Sequence, residues 1–186
     1  MRPPEEGPGT LRRTHRARQI AYRPPMTTLR IIKRPKGVLL ARAWTPSIDP
    51  TGWWMSEKFD GVRAIDDDGV VTSRYGNRFP VPEWFVEPFP RGPFDGELWL
   101  GPGQLQKTVS IVKNGSVDKG WAKITYRVFD LPTIYEPFEI RMKVLERLAK
   151  GVPRMAVVKQ VKCKGYAHLA AEHPEISEIE INPLIV

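Results

Sequence analysis

Trp53-Trp54-Met55-Ser56-Glu57-Lys58-Phe59-Asp60-Gly61-Val62-Arg63-Ala64-Ile65 is the stretch on which the reading of this chain turns. An apolar run leads into a lysine flanked by acids, a glycine follows, and a second apolar run begins. That pattern predicts a strand, a tight turn at Gly61 and another strand, with Lys58 at the lip of a pocket. A lysine becomes a nucleophile only when its amine loses a proton, which needs desolvation or nearby positive charge. Arg63 is placed to supply such charge. Asp60, two residues beyond Lys58, falls on the same side of an extended chain, where it can orient the amine or help hold a metal. By itself, Lys-x-Asp-Gly is short enough to arise by chance in a surface turn.

Outward from this stretch, Val62–Ile65 and Val70–Ser73 flank Asp66-Asp67-Asp68-Gly69, which predicts a hairpin with an Asp-Gly turn. Prolines at 80, 82, 88, 90 and 93 make the next passage loop or short turns. Strands are expected over 94–100 and 124–129, with a short helix over 104–112 between them. The clearest helix is 137–150, where Ile140, Val144, Leu145 and Leu148 line one face and Gly151 stops it. Glu139–Lys143 and Glu146–Lys150 are spaced as supporting pairs. Further strands are expected over 155–161 and 179–186, around a short helix at 166–172. The expected class is α+β, with mostly antiparallel sheets and flanking helices.

The composition, 41% hydrophobic and 27% charged over 186 residues, is that of a globular protein with one real core. No run of 18 apolar residues exists, so no membrane span is expected. The single cysteine, Cys163, excludes an internal disulfide framework and fits an intracellular, reducing compartment, without distinguishing nucleus, mitochondrion or bacterial cytoplasm. It reads as a small buried hydrophobe. The net charge of +8 is unevenly placed. Residues 1–42 hold 9 Arg and 2 Lys against Glu5 and Glu6, a net of +9, which leaves −1 for residues 43–186. Residues 1–36 also carry six prolines and no apolar period, so they read as a basic arm ahead of a domain spanning 37–186. Such an arm is attracted to nucleic-acid phosphates, or it is simply a solvated tail.

Four segments now stand in a meaningful order: Lys-x-Asp-Gly-x-Arg at 58–63, Ser73-Arg74-Tyr75-Gly76-Asn77, Phe94-Asp95-Gly96-Glu97-Leu98-Trp99, and Tyr126-Arg127-Val128-Phe129-Asp130. They resemble motifs I, Ia, III and IIIa of the covalent nucleotidyltransferases. The run Trp-Trp-Met-Ser-Glu-Lys is most similar to small, minimal-type ATP-dependent DNA ligases, with Phe59 where leucine is usual. The resemblance covers about residues 38–170 and implies a nucleotidyltransferase (ATP-grasp-like) adenylation domain. It also implies that Lys58 attacks the α-phosphate of ATP, keeps AMP as a phosphoramide, and passes it to the 5′-phosphate of a nick in double-stranded DNA. Magnesium would offset phosphate charge. By the same resemblance Glu57 would lie beside the adenine and Arg63 would face the ribose or the nick. Arg74 would hold a phosphate, Glu97 would take the ribose hydroxyl or metal, and Phe129 would stack on the purine. Asp60 would join Glu97 at the metal. A monomer is expected. Read as plain residues, Arg74 solvates a hairpin end, Glu97 caps a turn and Phe129 belongs to the core, while Trp53, Trp54 and Trp99 are packing residues.

The pattern departs from the family after residue 170. Motif IV, Glu-Gly-x-x-Leu-Arg, motif V, Lys-x-Lys, and the OB-fold domain that follows them are not found. Lys162-Cys163-Lys164 has the letters of motif V but precedes the place for motif IV. The end, Glu178 to Val186, looks more like the Glu-x-Asn-Pro-Leu terminus of an ATP-grasp acyl-CoA ligase. The resulting expectation is a ligase core truncated before motifs IV and V. The alternatives are an inactive nucleic-acid-binding fragment, or an RNA ligase or capping nucleotidyltransferase.

Overall fold

The computed structural model describes residues 49–114 and 119–165, together with the backbone of 179–182. The basic arm and the helix expected at 166–172 lie outside the described residues. Among the described residues, eight strands form two sheets: β1 (Trp54–Glu57), β2 (Val62–Asp67), β3 (Val70–Thr72), β4 (Phe94–Trp99), β5 (Thr125–Asp130), β6 (Met155–Val157), β7 (Val161–Lys162) and β8 (Ile179–Asn182). Three α-helices accompany them among the described residues: α1 (Glu83–Val86), α2 (Leu105–Asn114) and α3 (Phe138–Ala149). The larger sheet has the order β3-β2-β4-β5-β6 and the smaller β7-β1-β8. Every pairing is antiparallel except β5 with β6, which α3 connects. This is the expected α+β class.

The β2–β3 hairpin turns on Asp68 at φ 49° and Gly69 at φ 84°. Two successive positive φ values match the right-handed twist of the flanking strands, which is why Asp-Gly is favoured there. Alternation along the larger sheet then sorts its faces. Ala64, Phe94, Leu98, Tyr126 and Val128 bury one face with Phe85, Val112, Trp121, Met142 and Leu145. Each large apolar side chain so buried contributes about 1.5–3 kcal/mol. The Tyr126 hydroxyl lies 2.9 Å from the Ala64 carbonyl of β2 and 2.8 Å from that of Phe94 on β4, tying β5 to both strands from inside.

Three expectations are corrected. Residues 155–161 do not make one strand: β6 runs parallel to β5, whereas β7 crosses to the other sheet and pairs with β1. The buried stripe of α3 is Phe138, Met142, Leu145 and Ala149, while Ile140 is 42% and Leu148 36% exposed. Both stripes have helical spacing, and the one that meets β5 and β6 is the one covered. Glu139, read as a partner of Lys143, instead accepts from the Trp54 indole at 3.3 Å and from Lys162 at 3.2 Å. Lys162 also lies 4.2 Å from the centre of the Trp54 ring. Trp54 and Lys162 therefore help hold the smaller sheet to α3. Cys163 is buried beside Met55, as its apolar reading expects.

Asp66 sits on the core face of β2 and is fully buried. Its Oδ1 accepts the Gly69 N–H at 3.0 Å, but Oδ2 has no partner. Burial, aided by the charges of Asp67 and Asp68, pushes its carboxyl up to about 6 from an ordinary 3.8. The folded state therefore holds a proton that the unfolded chain releases between those values. The stabilisation it brings is complete below 3.8 and is lost as pH rises to about 6. Asp66→Asn should be more stable than the parent at pH 7, by about 1–2 kcal/mol, with the advantage shrinking toward pH 4. Paired thermal melts across that range check this, and a constant difference would contradict it.

Candidate active site

β1 ends at Glu57, and the chain passes through Lys58, Phe59 and Asp60 before Gly61 leads into β2. Glu57, Lys58 and Asp60 are exposed, and Phe59 is half-buried. Gly61 has no positive φ, so the expected glycine turn is not its reason for being glycine. The reason is close approach. A Cβ there would run into the Leu98 carbonyl and lie 2.9 Å from Glu97 Cγ. The Lys58 segment is thus drawn against β4, with the Glu97 side chain beside the Asp60–Gly61 turn.

Register lines up the next group. Arg63 on β2 faces Glu97 on β4, which faces Arg127 on β5. Gly96, on the opposite face, has Arg127 O, Tyr126 and Val128 within 3 Å of any Cβ, so the strands pack there without a side chain. Between Asp95 and Gly96 the register slips, so that Phe129 is an extra residue opposite β4. Such a bulge re-aims a side chain, and the Phe129 ring lies under the Arg63 guanidinium, 5.2 Å from its centre.

Arg63 is also committed elsewhere. Its Nη2 and Nε meet the two oxygens of Asp95 at 2.8 and 3.2 Å, a fork that fixes the guanidinium plane. Burial pushes the Asp95 carboxyl up, against the lowering pull of Arg63. On the adjoining strand β5, Asp130 makes a like pair with Arg141 of α3 at 2.7 and 3.2 Å, anchoring the helix behind the sheet. Arg74 stands apart. It is exposed in the 73–77 loop, donates to the Tyr75 hydroxyl at 2.6 Å and covers the Tyr75 ring at 4.7 Å.

The structure therefore gathers Arg63, Glu97 and Phe129 on one sheet face beside the Lys58 turn and ties Arg74 to its neighbour instead. Reading the sequence missed Asp95, Arg127 and the Asp130–Arg141 pair. The signal was present: Asp95, Arg127 and Asp130 are charges inside alternating apolar strands, where a side chain needs a partner. Trp99, read as packing, meets Phe59 edge-on at 5.2 Å and Arg127 at 4.8 Å. β8 runs along β1 with Ile179 opposite Glu57 and Asn182 opposite Trp54. The tail that departs from the family pattern thus supplies a strand to the sheet that leads to Lys58. Among the described residues no helix is long and apolar enough to cross a membrane.

No protein-family model matches the chain. A curated DNA ligase of Haemophilus influenzae is 29% identical over 143 residues, which cover 73% of this chain and 51% of that protein. The chain thus spans about half the length of the curated relative it matches. A solved structure of a Lig E DNA ligase, with a minimal DNA-binding scaffold, superposes with a TM-score of 0.68 at 33% identity, covering 76% of this chain and 57% of that one. The Chlorella virus DNA ligase-adenylate shares the fold alone, at TM-score 0.57 and 19% identity over 70% of this chain and 52% of its own. In sequence and in fold, this chain resembles the nucleotidyltransferase domain of ATP-dependent DNA ligases.

Proposed function

We propose that the chain is the adenylation core of an ATP-dependent DNA ligase, with Lys58 as its nucleophile. The observation that carries this is the Lys58 turn, drawn by Gly61 against a sheet face bearing Arg63, Glu97 and Phe129. In the first step the neutral Lys58 amine attacks the α-phosphorus of ATP, a P–N bond forms, and the bond to pyrophosphate breaks. AMP then passes to the 5′-phosphate of a nick, and the 3′-hydroxyl displaces it to join the strand. Arg63, oriented by Asp95, would meet the ribose or the nick terminus from a fixed plane. Phe129 would offer the purine a flat surface, and Glu57, at the end of β1, would lie near the base. Arg74, on a long side chain outside the sheet, would reach a phosphate as a planar fork. Nick sealing of this kind serves DNA repair, replication and recombination alike. The relatives matched are DNA ligases, which favours this reading over RNA joining, capping or an inactive binding fragment.

Magnesium fits the donors present. Asp60 and Glu97 are hard oxygen ligands bracketing one turn, and among the described residues no group of three ligating side chains forms a cage. Magnesium usually takes one or two carboxylates together with phosphates and water. When bound it would neutralise phosphate charge. Incubation with α-labelled ATP and magnesium should give an acid-labile, base-stable adduct that peptide mapping places on Lys58. An adduct mapped to another residue would end this reading.

The arm and the domain boundary at residue 37 belong to the same proposal, with the arm gripping duplex phosphates. Deleting residues 1–25 removes Arg2, Arg12, Arg13, Arg16, Arg18 and Arg23. Affinity for nicked DNA should fall, and the salt dependence should flatten by about 0.9 in log–log slope for each phosphate no longer neutralised. Titrations at several salt concentrations read this directly, and an unchanged slope would show that the arm leaves phosphate alone.

A further inference from the structure

Among the described residues, Arg127 is the charged side chain on the sheet face beside the Lys58 turn that the adenylation chemistry above does not use. Its guanidinium lies 5.3 Å from the centre of the Phe59 ring and 4.8 Å from that of Trp99. Those two rings meet edge-on at 5.2 Å and 74°. The cation therefore caps both members of an aromatic pair, and one of them is the residue immediately after Lys58.

Packing alone does not account for an arginine here. Its Nε is buried without a hydrogen-bond partner, a desolvation cost that methionine at the same place would avoid while covering the same rings. Cation–π attraction offsets part of that cost, and it does so most where water is excluded. The contact is also directional. A flat guanidinium resting on two rings set nearly perpendicular to each other restricts where Phe59 can go. Phe59 and Lys58 share a peptide link, so fixing the ring limits the path of the backbone that carries the amine. The turn is exposed at Glu57, Lys58 and Asp60, and its anchors on this side are Phe59 and the close approach of Gly61 to β4.

We propose that Arg127 is a positioning residue for Lys58, acting through Phe59 and Trp99 to hold the lysine turn in the geometry that attacks ATP. The inference rests on Lys58 being the nucleophile. Arg127 touches neither the amine nor, on this account, the nucleotide. Its effect falls on the rate of adduct formation rather than on ATP affinity.

The test is a double-mutant cycle on the full chain, reading single-turnover lysyl-AMP formation. Arg127→Met should lower the rate at saturating ATP by about tenfold or more, with KM for ATP changed by less than about twofold. Arg127→Lys should recover part of the loss. In a Phe59→Leu background the same change should cost much less, because the ring through which Arg127 acts is gone. Equal losses in both backgrounds, or a lowered melting temperature with an unchanged rate of adduct formation, would overturn the proposal and reduce Arg127 to a packing residue. If Arg127→Met does not fold, Phe59→Leu alone carries the test. It should melt like the parent, form adduct more slowly and be insensitive to Arg127→Lys, and continued sensitivity overturns the proposal. Label persisting in Lys58→Ala would defeat the nucleophile assignment itself, a failure distinct from either of these.

Discussion

A Lys58→Ala chain should accumulate no protein-bound AMP while melting at the temperature of its parent. The two halves of that result have separate causes. Lys58 is exposed, and replacing an exposed side chain usually changes stability by no more than about 0.5 kcal/mol. The chemistry has no such tolerance. The amine is the atom that forms the P–N bond, and alanine offers nothing in its place, so adduct formation should fall by about 10⁴-fold or more, to background. Lys58→Arg sharpens the comparison, since a guanidinium keeps the charge but cannot be deprotonated and should be equally silent. Measuring acid-labile label and melting temperature on the same preparations checks both halves. Label retained by Lys58→Ala would move the nucleophile elsewhere. A large drop in melting temperature would mean that the turn is structural before it is catalytic.

Gly61→Ala is expected to have the next largest effect, and for a reason visible only in three dimensions. The added carbon would overlap the Leu98 carbonyl and come within 2.9 Å of Glu97 Cγ and 3.3 Å of Leu98 C. The carbonyl belongs to a paired strand in the middle of the larger sheet, so the turn has to give way. Backing away carries the Lys58 segment off β4 and pushes Glu97 from its place. Stability should drop by about 1–3 kcal/mol, the usual range for forcing extra volume into a packed contact. Adduct formation should drop further, by about 10²-fold, because a displacement near 1 Å at a reacting group is enough for that. The size of the second effect relative to the first is the informative quantity. A variant that loses stability but forms adduct at the parental rate would show that the turn need not touch β4.

The sequence reading and the structure part company at identifiable residues. The hairpin at 66–69, strands β1, β2, β4 and β5, and helix α3 were legible because each is a local matter: alternation, a turn pair with positive φ, a helical period closed by glycine. The candidate site was legible as an ordered set of short motifs, Lys58 first among them, because the chemistry asks for particular residue types close together in the chain. What the periodicity of α3 left open was which apolar stripe is covered. Two stripes share Leu145, and only the sheet beside it selects Phe138, Met142 and Ala149 over Ile140 and Leu148. The 155–161 run was likewise one apolar stretch until β5 and β1 claimed different ends of it.

The sequence by itself determined most of the elements and which residue types the chemistry has at its disposal, since both follow from neighbours in the chain. Tertiary structure alone decided that Arg63 is forked to Asp95, that Arg127 rests on Phe59 and Trp99, and that Gly61 is glycine because a carbonyl from residue 98 leaves no room for a Cβ. Each of those contacts joins residues more than 25 positions apart, and the strength of a contact depends on distance and exclusion of water in space, which no spacing along the chain encodes.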